Sequence, residues 1–214
     1  MARQNRVNPF GEIIATPARG TLMGNRGCLH NDQGRIIRPY QSKRWIICQL
    51  EFKNRRRQIM APDKYTELFF LDEATALAAG HRPCAECSRQ RFKEFVAAWV
   101  EANPKLADGA VTTVDKLDAI LHRERIARQE KVTYQDKLSN LPAGAFITLG
   151  TGQQAALVVD DSVLIWSPAG YGERLIRPDD QMVEVLTPRS IVRTLAHGFQ
   201  AHLHPSAAGA RPAN

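Results

Sequence analysis

Two cysteines three positions apart, Cys84-Ala85-Glu86-Cys87, constrain this chain more than any other feature. A C-x2-C pair lets two thiolates from one tight turn bind a single tetrahedral ion, and the remaining ligands must come from elsewhere in the chain. The fold therefore has to bring a distant segment back to residues 84–87. Only Cys28 and Cys48 remain as further thiols. Four cysteines in 214 residues make a poor disulfide framework, so a metal, with zinc as the expected cofactor, is read ahead of a redox pair. No apolar run approaches the roughly 18–20 residues of a membrane span, and the start, Met1-Ala2-Arg3-Gln4-Asn5-Arg6, has no apolar stretch behind its charges. The expectation is a cytoplasmic protein with no membrane partner.

The upstream ligands are read from strand periodicity. Residues i and i+2 of a strand share a face, so Cys28-Leu29-His30 would present both side chains to one ion. Cys48 instead alternates with Ile46, Leu50 and Phe52, the pattern of a buried apolar face on which a free cysteine sits as a small hydrophobe. The expected metal set is Cys28, His30, Cys84 and Cys87. The alternative is a four-cysteine set in which Cys48 replaces His30.

Charge is lopsided. Residues 1–57 hold twelve Lys and Arg against Glu12, Asp32 and Glu51, a net of +9, whereas the whole chain nets +7, so the remainder nets −2. Arginine predominates there, and its planar fork suits phosphate and stacks on bases, so the expected partner is nucleic acid, with DNA favoured. Arg35, Arg38, Lys43, Arg44, Lys53, Arg55, Arg56 and Arg57 are the candidate contacts. The last three lie at an expected hairpin tip, with Tyr40 and Trp45 nearby to stack.

Turn and period signals divide the chain. Residues 1–20, with Pro9, Gly11, Pro17 and Gly20, read as an extended N-terminal arm. Short strands follow around 26–30, 44–52 and 65–70, with Asn31-Asp32-Gln33-Gly34 as a turn. Asp72 is the expected N-cap of an alanine-rich helix ending at Gly80. Phe92, Phe95, Val96, Trp99 and Val100 form the apolar stripe of a second helix running to Ala102, and a third is expected over 114–131. Strands are expected over 145–149, 155–159, 163–167 and 182–186, with Trp166 to Gly172 as a glycine loop between the last two. A short helix then runs from Thr187-Pro188 to Gly198, and residues 206–214 read as a disordered tail.

The run Leu68-Phe69-Phe70-Leu71-Asp72-Glu73-Ala74-Thr75-Ala76-Leu77-Ala78-Ala79-Gly80-His81-Arg82-Pro83-Cys84-Ala85-Glu86-Cys87 resembles the metal-binding domain of the Ada DNA repair family: an aromatic strand, an alanine-rich helix, then Gly-aromatic-Arg-Pro-Cys-x-x-Cys. The resemblance is close over 66–90 and loose over 21–90. It implies a small α+β zinc module that contacts DNA phosphates, and a methyl-accepting cysteine whose nearest counterpart here is Cys28. The upstream spacing departs from the family's C-x3-C, and His81 stands where the family has an aromatic residue, a packing position.

The expected architecture is α+β: an arm over 1–20, a zinc-stapled Ada-like module over 21–104, and a helix plus β-rich domain over 112–205. That second part echoes the first in order, with Gly198-Phe199 matching Gly80-His81 and His202 matching Cys84. The expected function is zinc-dependent nucleic-acid binding without catalysis. The alternatives are a methyl-accepting repair protein, a hydrolase built on the C-terminal carboxylates and histidines, and a zinc-stabilised protein-interaction module.

Overall fold

The computed structural model describes residues 2–54, 58–107, 113–150, 153–176 and 181–212. The elements in chain order are β1 (Gln4–Val7), β2 (Ile13–Ala15), β3 (Leu22–Asn25), β4 (Ile46–Cys48), β5 (Leu68–Phe70), α1 (Glu73–Ala78), β6 (Arg82–Pro83), α2 (Arg89–Ala102), α3 (Pro104–Ala107) and α4 (Val114–Arg125). There follow β7 (Ile126–Ala127), β8 (Glu130–Lys131), β9 (Tyr134–Lys137), β10 (Phe146–Leu149), β11 (Gln154–Val158), β12 (Ser162–Ser167), β13 (Gly170–Ile176), β14 (Met182–Val185), α5 (Arg189–Ala196) and β15 (Arg211–Pro212). The class is α+β. One sheet runs β2-β1-β5-β3-β4-β6, a second runs β15-β13-β12-β11-β10-β14-β9, and β7-β8 form a hairpin.

Both sheets bury their faces in shared apolar clusters. Leu68, Phe70 and Leu77 from the first part pack with Phe95 and Trp99 of α2, Leu117 and Leu121 of α4, Ile147 of β10 and Ile191 of α5. Strand alternation sends the neighbours the other way: Phe146, Ala155, Leu157 and Leu164 join Leu71, Ala74 and Ala78 in a second cluster. Helix α1 lies between the two clusters and is buried on every side, which its small alanine side chains permit.

The first turn of α1 is also a polar hub. Asp72 caps the helix by accepting from the Thr75 N–H at 2.9 Å, and its other oxygen accepts from the Tyr171 hydroxyl at 2.7 Å and the His204 N–H at 3.0 Å. Gly80 ends the segment at φ +88°, where a Cβ would strike the Arg125 side chain at 2.5 Å. Both caps stand where the sequence puts them. Among the described residues no helix is long and apolar enough to cross a membrane.

Several expectations are corrected. Residues 1–20 are not a free arm: Gln4–Val7 and Ile13–Ala15 pair with each other, and Arg6 pairs with Phe69 of β5. β1 carries one apolar residue in four and β2 is a run of only three, Ile13-Ile14-Ala15, so neither shows a hydrophobic alternation in sequence. The strand expected at 26–30 lies at Leu22–Asn25, because Gly27 at φ +104° turns the chain. The helix expected to reach residue 131 stops at Arg125, after which Arg128 and Gln129, both at positive φ, close the β7-β8 hairpin. The loop expected at 166–172 opens β13, paired with β12 from Gly170 onward. The tail expected over 206–214 carries β15 on β13, with Ala207 buried; residues 213–214 lie outside the described residues.

Candidate metal centre

The centre is built where two short strands meet the C-x2-C turn. Strand β4 pairs antiparallel with β3, placing Cys48 opposite Met23, and parallel with β6, placing Ile47 opposite Pro83. The Cys84 N–H donates to the Ile47 carbonyl at 2.9 Å, which carries the pairing one residue into the turn and sets Cys84 beside Cys48. The Ser88 N–H then closes the turn on the Cys84 carbonyl at 3.1 Å and α2 begins. The result is that the sulfurs of Cys48, Cys84 and Cys87 all lie within 4.8 Å of one another, close enough to hold a metal ion.

The three thiols titrate as a set. Hydrogen bonds from Cys48 and Cys87, with backbone N–H groups of Cys87 and Glu86, hold Cys84 well below the ordinary thiol range against the opposing effect of burial. Hydrogen bonding to Cys84 and Cys87, then burial, push Cys48 far up. Cys87 is pulled down by Cys48 but moves up on balance, because Cys84 and burial oppose ionisation. Cys84 is the first to become a thiolate, and a cation among the three sulfurs would favour ionisation of the others.

A cavity of about 450 Å³ opens onto this cluster, with Ile46, Cys48 and Leu50 on one wall and Cys84, Glu86 and Cys87 on another. The sequence rule that groups Cys48 with Ile46, Leu50 and Phe52 on one face holds; what differs is the fate of that face. It lines the cavity, with Leu50 half exposed, while the alternate residue Ile47 enters the core.

The other expected ligands lie elsewhere. Cys28 and His30 do not join the cluster, because residues 26–30 are not a strand and the i, i+2 rule does not apply to them. The Cys28 thiol points to the His30 carbonyl at 3.7 Å. His30 is buried, with Nδ1 at 2.6 Å from the Thr66 hydroxyl and Nε2 at 3.2 Å from the Ala61 carbonyl, so both ring nitrogens are engaged. His81 packs as expected of its position, 4.6 Å from the Phe70 ring and 5.2 Å from Trp45, and burial followed by Arg26 holds it neutral.

Of the basic candidates, Arg35, Arg38, Lys43, Arg44 and Lys53 are exposed, while Arg55, Arg56 and Arg57 lie outside the described residues. Arg44 makes a surface ion pair with Asp115 at 3.1 Å. Trp45 is not free to stack on a base: it is buried, with the guanidinium carbons of Arg26 and Arg125 at 3.8 Å and 4.1 Å from its ring. At the C-terminus, His204 Nδ1 lies 2.8 Å from the Ser206 hydroxyl and His202 donates its backbone N–H to Glu73. Among the described residues these form no further group of three metal-type ligands.

Sequence reasoning missed two buried charge arrangements, the Trp45 stack and the Arg82–Asp118 pair. No local signal marks either, since the partners are 19 or more positions apart. Compared with protein-family models, with curated proteins and with solved structures, the chain gives no match in any of the three.

Proposed function

We propose that Cys48, Cys84 and Cys87 hold one zinc ion in an Ada-type module, and that the basic N-terminal half binds nucleic acid, with DNA as the favoured form. The observation that carries the reading is the convergence of three thiols from two distant segments. Soft thiolate donors select zinc, copper(I) or iron–sulfur chemistry over magnesium or calcium, and zinc is the redox-silent choice. The fit is good: sulfurs around a tetrahedral zinc at ~2.3 Å would be ~3.8 Å apart, compatible with three sulfurs that all lie within 4.8 Å of one another. Three protein donors leave the fourth position to a group entering from the cavity. The zinc would supply a cross-link between β4 and the turn before α2, beside the backbone hydrogen bond from Cys84 to Ile47. The exposed candidates Arg35, Arg38, Lys43, Arg44 and Lys53 then supply phosphate contacts, and phosphate-led binding has weak sequence preference.

Elemental mass spectrometry of untagged protein tests the metal. One zinc per chain is expected, lost in Cys48→Ser, Cys84→Ser and Cys87→Ser and kept in Cys28→Ser and His30→Ala. No metal in freshly reduced parent protein, or loss in Cys28→Ser but not Cys48→Ser, refutes the assignment. Fluorescence anisotropy on labelled duplex DNA and RNA tests the partner. Affinity should fall with salt and with Arg35→Glu plus Lys43→Glu, and negligible binding at low salt removes it.

The cavity favours a second reading, sulfur chemistry at the cluster itself. Cys87 is the most exposed of the three thiols and lines that cavity, so a methyl-accepting role would belong there rather than at Cys28. Mass spectrometry after incubation with methylated DNA decides: a methyl group on Cys87 supports it, and unmodified cysteines exclude it.

A further inference from the structure

A second cavity, of about 620 Å³, shares no lining residue with the first and is lined by Arg26, Arg38, Arg125 and Lys131 around Trp45. Arg26 and Arg125 are each only 1% exposed. Arg26 donates through Nη1 to the Gly11 carbonyl at 2.9 Å and through Nε to His81 Nε2 at 3.2 Å, and its Nη2 has no partner. Arg125 donates to the Gly80 and Lys43 carbonyls at 2.7 Å and 2.6 Å, and its Nε has no partner. Lys131 donates to the Ala78 carbonyl.

Among the described residues none of these three cations forms an ion pair. Their acceptors are backbone carbonyls, the rings of His81 and His122, both shifted toward the neutral form, and the Trp45 ring. Buried charges are ordinarily paired, because desolvation of an isolated ion is costly. Here like charges are instead packed together. Burial, then mutual repulsion, depresses Arg26 and moves Lys131 down to about 7; burial alone accounts for most of the fall of Arg125 to about 9. Two carboxylates also line the cavity, Glu12, which accepts from Asn8 at 2.7 Å, and the exposed Glu130, so the lining nets +2.

We propose that this cavity binds a phosphate monoester, its dianionic end among Arg26, Arg125 and Lys131 and its organic body against the apolar wall of Phe10, Ile37 and Pro39. A phosphoryl group brings close to two negative charges and three acceptor oxygens, which match three unpaired cations and two unpartnered guanidinium N–H groups better than a carboxylate does. The cavity volume falls in the range of small-ligand sites. The site is independent of the cysteine cluster, and either assignment can fail without the other.

Isothermal titration calorimetry on the full chain tests it, with sodium phosphate against sodium acetate and sodium chloride at matched ionic strength. Phosphate should bind and acetate should bind more weakly. Lys131→Gln should weaken phosphate by about ten- to a hundredfold, the loss expected for one charge-assisted contact, and the exposed Arg38→Ala by less. Arg38→Ala leaves the buried stack untouched, so a folding failure of Lys131→Gln does not leave the question open. Phosphate binding no tighter than chloride, or binding unchanged in both variants, overturns the proposal. A nucleoside 5′-monophosphate and a 5′-phosphorylated oligonucleotide beside its 5′-hydroxyl counterpart identify the source. A gain confined to the phosphorylated oligonucleotide assigns strand ends, and equal gain for the monophosphate assigns a small molecule.

Discussion

Substituting Asp118 by alanine should be among the most damaging single changes in this chain. Asp118 on α4 receives Arg82 in a two-pronged contact, Nε to one oxygen at 2.9 Å and Nη2 to the other at 2.7 Å, with the two side chains only 2% and 3% exposed. Arg82 also donates to the Pro83 carbonyl at 2.9 Å and lies over the Phe92 ring, so the pair ties α4 and α2 to the strand that leads into the cysteine turn. Asp118→Ala leaves a buried guanidinium without its counter-charge, a change that costs about 3–5 kcal/mol. For a chain of this size each kcal/mol moves Tm by about 2–4 °C, giving a fall of roughly 6–20 °C. Urea unfolding followed by circular dichroism measures the free energy, and a thermal scan gives the second figure. The double variant Arg82→Met plus Asp118→Leu removes both charges and keeps the volume, so it should recover most of the loss. The reasoning fails if Asp118→Ala costs less than about 1 kcal/mol, or if the double variant is as unstable as the single one.

Trp99 is fully buried with an indole N–H that has no partner, so Trp99→Phe should cost far less than the ~3–5 kcal/mol of Trp99→Ala, and equal unfolding midpoints would contradict this. Tyr171→Phe removes the hydroxyl donated to Asp72 at 2.7 Å and should cost about 1–3 kcal/mol, read from the urea midpoint, with Asp72→Ala worse because the helix cap goes too. Burial, with Arg26 and Arg125, lowers the Lys131 ammonium to about 7 in the folded chain, against ~10.4 unfolded. The unfolded chain therefore binds the extra proton between those values, so this residue's contribution to stability is least below about pH 7 and rises toward pH 10. Lys131→Met should flatten that part of a stability–pH curve, and an unchanged slope would refute the assignment. If the proposed metal is bound, its chelation under reducing conditions should open the half-buried Cys87 to alkylation ahead of the buried Cys48 and Cys84; simultaneous reaction of all three would mean that the segment unfolds without its metal.

What the sequence determined is what neighbours along the chain can encode. The Asp72 cap and the turn at Gly80 follow from local chemistry, as does the α2 stripe through Phe95 and Trp99. Of the strands in the second half, β10, β11, β12 and β14 follow from short-range alternation, whereas β9, the β7-β8 hairpin and β15 leave no such pattern, and the opening Gly170-Tyr171-Gly172 of β13 looks like a loop and becomes a strand through its pairing with Ser167 and Trp166 of β12. Cys84 and Cys87 are legible as a pair because both thiols sit in one turn. Which upstream residue meets them is decided by tertiary structure. The strand rule applied at Cys28 and His30 presupposes a strand that Gly27 prevents, and the same rule at Cys48 names the right face without saying that it borders a cavity. The pairing of β4 with β6 settles the matter, through a backbone contact between Ile47 and Cys84 that spans 37 positions and leaves no periodic trace. The buried cations Arg26 and Arg125 follow the same logic: in sequence they read as surface charge, and only the packing around Trp45 takes them out of water.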